Sequence, residues 1–226
     1  MIRGRPARRR GIAADARDQR ESAFTAILAD LVRRVPGARA AALVDRGGET
    51  VDYAGSGAPF ENQIAAAHWR IVLEAIRAQP FLAAAQSLVV RASRASFIVH
   101  GLPEGYALSL RLGRGAGFRG WQRAVPACAR RIGREAGWKD DAGWPWFAVE
   151  VSCDGEGRPC LLAAEGAPQG VEVIGRHRSD GPRPEQAWRV RLSSGAEATL
   201  VCESRRFWYT DEAPSTLLQA GAPKNI

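Results

Sequence analysis

The sequence predicts an α+β domain followed by a small all-β domain. Up to about residue 135, segments with apolar residues every three or four positions alternate with short apolar runs, the pattern of helices interleaved with strands. Beyond residue 146 apolar residues alternate with polar ones, and turn residues recur at short intervals. The 226 residues suit one medium and one small domain. The predicted segments are a disordered Arg-rich tail 1–20, a first domain 21–137, a linker 138–145, a β domain 146–212 and a flexible tail 213–226.

A first helix and a hairpin follow the N-terminal tail. The apolar positions of the helix lie along one stripe and end at Pro36 and Gly37, which favour a turn. Residues 38–54 then form two short strands, joined at Gly47 and Gly48, which tolerate the positive φ of a hairpin turn. The stripe consists of Phe24, Ile27, Leu28, Leu31, Val32 and Val35.

The central helix, predicted over residues 60–78, is apolar over an unusually wide arc. Such an arc is broader than the stripe that one sheet covers, so two faces of this helix need apolar cover. One side carries Ile64, His68, Ile71, Val72 and Ala75, and the arc is widened by Trp69, Leu73 and Ile76.

Three strands and a third helix complete the first domain. The strands are predicted at residues 87–92, 96–102 and 106–112, and the helix follows from spacings of three and four over residues 118–132. Pro126 lies inside that pattern and removes a backbone donor. The helix therefore either kinks at Pro126 or has its regular part begin near that residue, because proline is tolerated in a first turn.

The second domain is predicted to be a five-stranded antiparallel module, either a curled sheet or an SH3-like barrel. Turn signals at residues 154–157, 166–170, 181–184 and 194–195 divide it into five strands. A domain of this size buries little surface and is expected to lean on its neighbour. Trp138, Trp144 and Trp146 at the boundary are interpreted as part of the contact between the domains.

The net charge of +8 is concentrated at the N-terminus, where residues 1–20 hold seven arginines and two aspartates. Such an arm is either a solvated tail or a nucleic-acid-binding arm with little sequence specificity. No aromatic residues alternate with the arginines, which favours the solvated tail. The residues of the nucleic-acid alternative are Arg3, Arg5, Arg8, Arg9 and Arg10.

Catalytic, metal and cofactor signatures are not recognised in the sequence. His68 and His100 are interpreted as structural, and Cys128 falls in phase with the apolar side of the third helix, as a core thiol does. The four cysteines form no CxxC pair, so no zinc site is predicted. Neither a secretory signal nor a membrane-spanning segment is predicted, and the expected location is cytoplasmic.

Two stretches of the first domain carry a resemblance to a known family. RVPGARAAALVDRGG at residues 34–48 joins an amphipathic helix, a Pro-Gly turn, an apolar strand and a glycine hairpin. SFIVHGLPEGYALSLRL at residues 96–112 is similar to a later hairpin, ahead of the closing helix. In order and pattern, residues 21 to about 137 resemble the roadblock/LC7 family. The β domain is similar, through residues 188–212, only to uncharacterised bacterial β modules.

The resemblance implies an α-β-β-α-β-β-β-α domain with a five-stranded antiparallel sheet, and a homodimer formed by the central helix and the third strand. Family members are adaptors and regulators rather than enzymes, and bacterial members commonly act with a small Ras-like GTPase. The implied interface residues are Ile64, His68, Trp69, Ile71, Val72, Leu73, Ile76, Leu88 and Val90.

The leading hypothesis is therefore a non-enzymatic, dimeric roadblock-type regulator or scaffold that acts on a small Ras-like GTPase. The alternative is a nucleic-acid-associated protein that uses the basic arm for affinity and the β domain for recognition.

Overall fold

A computed structural model describes residues 19–138, 146–163, 168–178, 186–203 and 206–219. The first domain follows the predicted order of helices and strands, which is thereby confirmed. Its elements are α1 (Ala23–Arg34), β1 (Ala38–Val44), β2 (Thr50–Gly55), α2 (Pro59–Arg77), β3 (Ser87–Arg91), β4 (Ser96–Gly101), β5 (Ala107–Leu112) and α3 (Trp121–Glu135).

The five strands of the first domain form one antiparallel sheet in the order β2-β1-β5-β4-β3. Because side chains alternate along a strand, β1 sends Ala41 and Leu43 into the core under α1 and α3, and Ala42 and Val44 toward α2. Helices thus cover both faces of the sheet, and β2 and β3 are its edge strands.

The start of α1 is fixed by polar contacts to the sheet. Ser22 caps the helix by accepting the backbone N–H of Phe24 at 3.1 Å, and Thr25 completes a capping box. The hydroxyls of Ser22 and Thr25 also donate to the carboxylate of Asp52, a buried residue of β2. The helix ends before Gly37, whose φ of +81° and close approach to Ala116 leave no room for a side chain.

Helix α3 contains Pro126 in its interior, because it begins at Trp121, five residues earlier. The interpretation that the regular helix begins near Pro126 is therefore wrong. The ring nitrogen of Pro126 cannot donate to the carbonyl of Gln122, and the burial of the following turns in the core offsets that loss.

The second domain is a closed barrel of six antiparallel strands, one more than predicted. The predicted last strand is two strands, which pair through Glu203 and Phe207. Ser-Arg-Arg separates them and contains no glycine, proline or asparagine, so the sequence has no turn signal there. The strands are β6 (Phe147–Cys153), β7 (Pro159–Ala163), β8 (Gln169–Arg178), β9 (Gln186–Leu192), β10 (Glu197–Glu203) and β11 (Phe207–Thr210). Whether the barrel is SH3-like stays a prediction.

A short helix, α4 (Pro214–Gln219), corrects the prediction of a flexible tail from residue 213. Leu217 is buried in the barrel core, and its carbonyl accepts the hydroxyl of Ser194 at 2.9 Å. Burial of this one leucine side chain supplies the stabilisation that a free tail would lack. Residues 220–226, the basic arm 1–18 and the linker residues 139–145, Trp144 among them, lie outside the described residues.

The barrel shares a core with the first domain, as expected for so small a module. Phe207 and Tyr209 of β11 are buried in the same cluster as Ile27 and Leu28 of α1. Cations of the first domain stack on barrel aromatics, with the guanidinium of Arg34 at 5.2 Å from the Phe207 ring. Trp138 and Trp146 both pack against this shared core, in agreement with their interpretation as contacts between the domains.

Candidate dimer interface

Helix α2 carries an apolar stripe on its solvent side. The helix lies on the sheet through Asn62, Ala66 and Leu73, which are buried. Successive turns on the other side place four side chains in solvent, here called the α2 stripe: Phe60, Ile64, His68 and Ile71. The exposed fractions are 68% for Phe60, 52% for Ile64 and 60% for Ile71. A run of large apolar side chains in water is the usual mark of an interaction surface.

One residue of the predicted interface is misplaced. Leu73 is only 1% exposed and packs against Val99 and Ala107 of its own sheet, so it cannot contact a partner. The wide apolar arc of α2 hid this difference, because Leu73 and Ile71 both belong to it. The other predicted residues, which are half-buried between the two environments, are Trp69, Val72, Ile76, Leu88 and Val90.

Four exposed apolar residues in or beside this surface were not predicted: Phe60, Phe81, Leu82 and Val89. Phe60 precedes Ile64 by four residues and is thus in phase with the stripe, a signal that could have identified it. Phe81 is 82% exposed in the short 3-10 turn Pro80–Leu82, which has no periodicity to reveal it. Val89 of β3 is exposed on the opposite face of the sheet from Leu88.

The arginines of α2 turn away from the stripe and hold its surroundings in place. Arg70 donates from Nε to the carbonyl of Asp45 at 2.8 Å, and Arg77 donates from Nε to the carbonyl of Ala85 at 2.7 Å. The second contact ties the segment that carries Phe81 to the end of α2. Because both guanidinium groups are engaged within the domain, they leave the α2 stripe apolar.

Strand β3 places an open sheet edge next to α2. Among the described strands it pairs with β4 alone, so the backbone groups on its outer side have no strand partner. Edge strands of this kind are ready to pair with another strand. Leu88 of β3 and Trp69 of α2 pack against the same small core, which joins the edge to the helix.

His100 supports the start of β3 from the neighbouring strand. Its Nδ1 lies 2.7 Å from the hydroxyl of Ser87, the first residue of β3, and its side chain is buried. Burial, with the nearby charge of Arg77, lowers the pKa of His100 to about 4. The imidazole is therefore neutral in the folded protein at neutral pH.

This depressed pKa predicts acid sensitivity. Between pH 6.5 and 4, His100 binds a proton in the unfolded chain but not in the folded protein. The free energy of unfolding therefore falls as the pH falls. The expected loss reaches about 3 kcal/mol at pH 4. Urea titrations across this range should show a shallower decline for His100→Gln than for the wild type. Equal slopes for His100→Gln and the wild type would contradict the assignment.

The candidate thiol Cys128 lies in the core of the first domain. Burial raises the pKa of Cys128 to about 12, so the thiol is not a nucleophile at neutral pH. Within the described ranges no group of three or more His, Cys, Asp or Glu side chains could hold a metal ion. The helices that the structure describes are too short or too polar to cross a membrane.

No protein-family model and no curated protein matches the sequence. Solved structures that are similar to this chain include a roadblock/LC7 domain and two MglB proteins. The roadblock/LC7 domain from Streptomyces avermitilis is 16% identical, with 50% of this chain and 97% of that domain covered and a TM-score of 0.44. MglB of Myxococcus xanthus is 12% identical, with 50% and 94% covered and a TM-score of 0.44. MglB of Thermus thermophilus is 20% identical, with 52% and 93% covered and a TM-score of 0.44.

These values describe a similarity of fold over about half of the chain, and they carry no argument about partners or activity. The order of the elements in the first domain agrees with the order that the family resemblance of residues 21 to about 137 implies. The candidate interface is inferred from the exposed α2 stripe and the open β3 edge of this chain.

Proposed function

We propose that this protein is a cytoplasmic, non-enzymatic homodimer of the roadblock type that regulates or scaffolds a small Ras-like GTPase. The observation that carries the proposal is the α2 stripe, which exposes three large apolar side chains beside an open strand edge. Exposure of that apolar surface to water is unfavourable, and a second copy of the chain would cover it with the same surface.

A two-fold axis beside β3 suits both parts of this surface. It would bring the outer edge of β3 against its copy in antiparallel orientation, the pairing that two identical edges can make. The same axis would place the two α2 helices side by side on one face of the joined sheet, so that apolar side chains of both helices are removed from water. The interface thus combines backbone pairing, which sets the register, with apolar burial, which supplies most of the free energy.

The GTPase part of the proposal rests on the resemblance to the roadblock/LC7 family. Its test is affinity capture from an extract of the native organism, with the full chain immobilised and either a GTP analogue or GDP present. We expect a small GTPase, identified by mass spectrometry, to be enriched at least about tenfold in one nucleotide state, equal to about 1.4 kcal/mol. Recovery of no small GTPase in either state would contradict the regulatory role while leaving the dimer intact.

A further inference from the structure

A cleft of about 770 Å³ lies where the first domain meets the barrel. Its walls come from α1 and α3 on one side and from β6, with Ala163 of β7, on the other. The volume is within the range of small-molecule sites. The cleft is on the opposite face of the sheet from α2, so it is separate from the candidate dimer interface.

The charge of the cleft favours an anion. Five arginines and three carboxylates line it, which gives its walls a net charge of +2. If the excess positive charge of the chain lay only in the N-terminal arm, the walls of the cleft would carry nearly equal numbers of positive and negative charges. The arginines are Arg33, Arg34, Arg130, Arg131 and Arg134, and the carboxylates are Asp30, Glu135 and Glu150.

Asp30 orients three of these arginines toward one point. It accepts hydrogen bonds from Arg33, from Arg34 Nε at 2.7 Å and from Arg131 Nη1 at 2.7 Å. A guanidinium carries five N–H donors, so these contacts leave most of the donors of Arg33 and Arg131 available. The side chain of Arg33 is 65% exposed and that of Arg131 is 42% exposed, whereas Asp30 is nearly enclosed by its partners.

Asp30 remains ionised in this arrangement. Burial alone would raise the pKa of Asp30, but hydrogen bonds from Arg34 and Arg33 and the charges of Arg34 and Arg131 outweigh it, so the pKa is lowered. A fixed carboxylate at the centre therefore keeps the guanidinium groups in place before any ligand arrives, which limits the entropy lost on binding.

The barrel side of the cleft supplies an apolar wall. Phe147 of β6 and Ile27 of α1 both line it. The guanidinium of Arg130 lies over the Phe147 ring at 3.5 Å from its centroid, which holds both groups at the wall. An apolar wall next to planar bidentate donors matches a ligand with an anionic end and a flat, less polar body.

We propose that this cleft is a binding site for a small molecule bearing a phosphate chain, of the nucleotide class. The phosphates contact the exposed donors of Arg33 and Arg131, and the base or other apolar part lies against Phe147. A bound ligand would touch α1, α3 and β6 together, and so would strengthen the contact between the two domains.

Calorimetric titration of the full chain with ATP and with tripolyphosphate at physiological salt tests the proposal. We expect one saturable site per chain, with ATP bound more tightly than tripolyphosphate because only ATP reaches the apolar wall. Arg33→Gln/Arg131→Gln should weaken ATP binding at least about tenfold. The single variant Arg33→Gln, which removes only an exposed side chain, should weaken it in the same direction if the double variant unfolds.

A matched control removes the same charge elsewhere. Arg94→Gln/Arg119→Gln changes two exposed arginines outside the cleft and should leave ATP affinity within about twofold. Equal losses in the two double variants, a loss on deletion of residues 1–18 alone, equal affinities for ATP and tripolyphosphate, or no saturable binding would each overturn the proposal.

Discussion

The double substitution Ile64→Asp/Ile71→Asp is expected to convert the protein from a dimer to a monomer. Both side chains are more than half exposed on the α2 stripe, so the aspartates can be solvated and the folded monomer should be retained. In the dimer the same change would bring four carboxylates together in an apolar contact. Desolvation and like-charge repulsion should then raise the dissociation constant at least about 100-fold, or about 2.7 kcal/mol.

The chain offers a matched control for this experiment. Leu161→Asp places the same charge on an exposed leucine of the barrel, away from α2, and should leave the dimer intact. Light scattering gives the mass of each variant, and circular dichroism confirms the fold. A dimer of unchanged affinity in Ile64→Asp/Ile71→Asp would show that the α2 stripe is not the interface.

Asp30→Asn should have the largest effect on stability. The carboxylate and the Arg34 guanidinium are both nearly buried, and Arg34 also contacts Phe207 and Tyr209 of the barrel. Loss of the carboxylate leaves the Arg34 cation without its counter-charge, at a cost of about 3–5 kcal/mol. The chemical denaturation midpoint should fall accordingly. By contrast, Glu156→Gln breaks an ion pair in which both side chains are exposed, and it should leave the midpoint close to that of the wild type.

The pH dependence of the free energy of unfolding provides a second test of the Asp30 prediction. The folded-state pKa of Asp30 is lowered, so its contribution is present above the unfolded value of 3.8 and is lost as the pH falls through the lower folded value. The gap between wild type and Asp30→Asn should therefore stay constant from neutral pH to about pH 4 and narrow only below it. A gap under about 1 kcal/mol at neutral pH would contradict this role of Asp30.

The spacing of apolar residues predicted the elements of the first domain because each apolar stripe in the sequence corresponds to the buried face of one helix or strand. It could not decide which side of α2 meets the sheet, since Ile71 and Leu73 belong to the same wide arc. The sixth barrel strand was missed because Ser-Arg-Arg carries no turn signal. Residues far apart in sequence form the cleft, with Asp30 and Arg131 separated by 101 positions, so no local pattern could have revealed it.

Sedimentation equilibrium of the wild-type chain tests the central claim most directly, because the proposed dimer covers the exposed α2 stripe and the open β3 edge. At tens of micromolar we predict a single species of twice the chain mass of 24.4 kDa, with dissociation only on strong dilution. A species of 24.4 kDa throughout that concentration range would contradict the dimer and the function built on it.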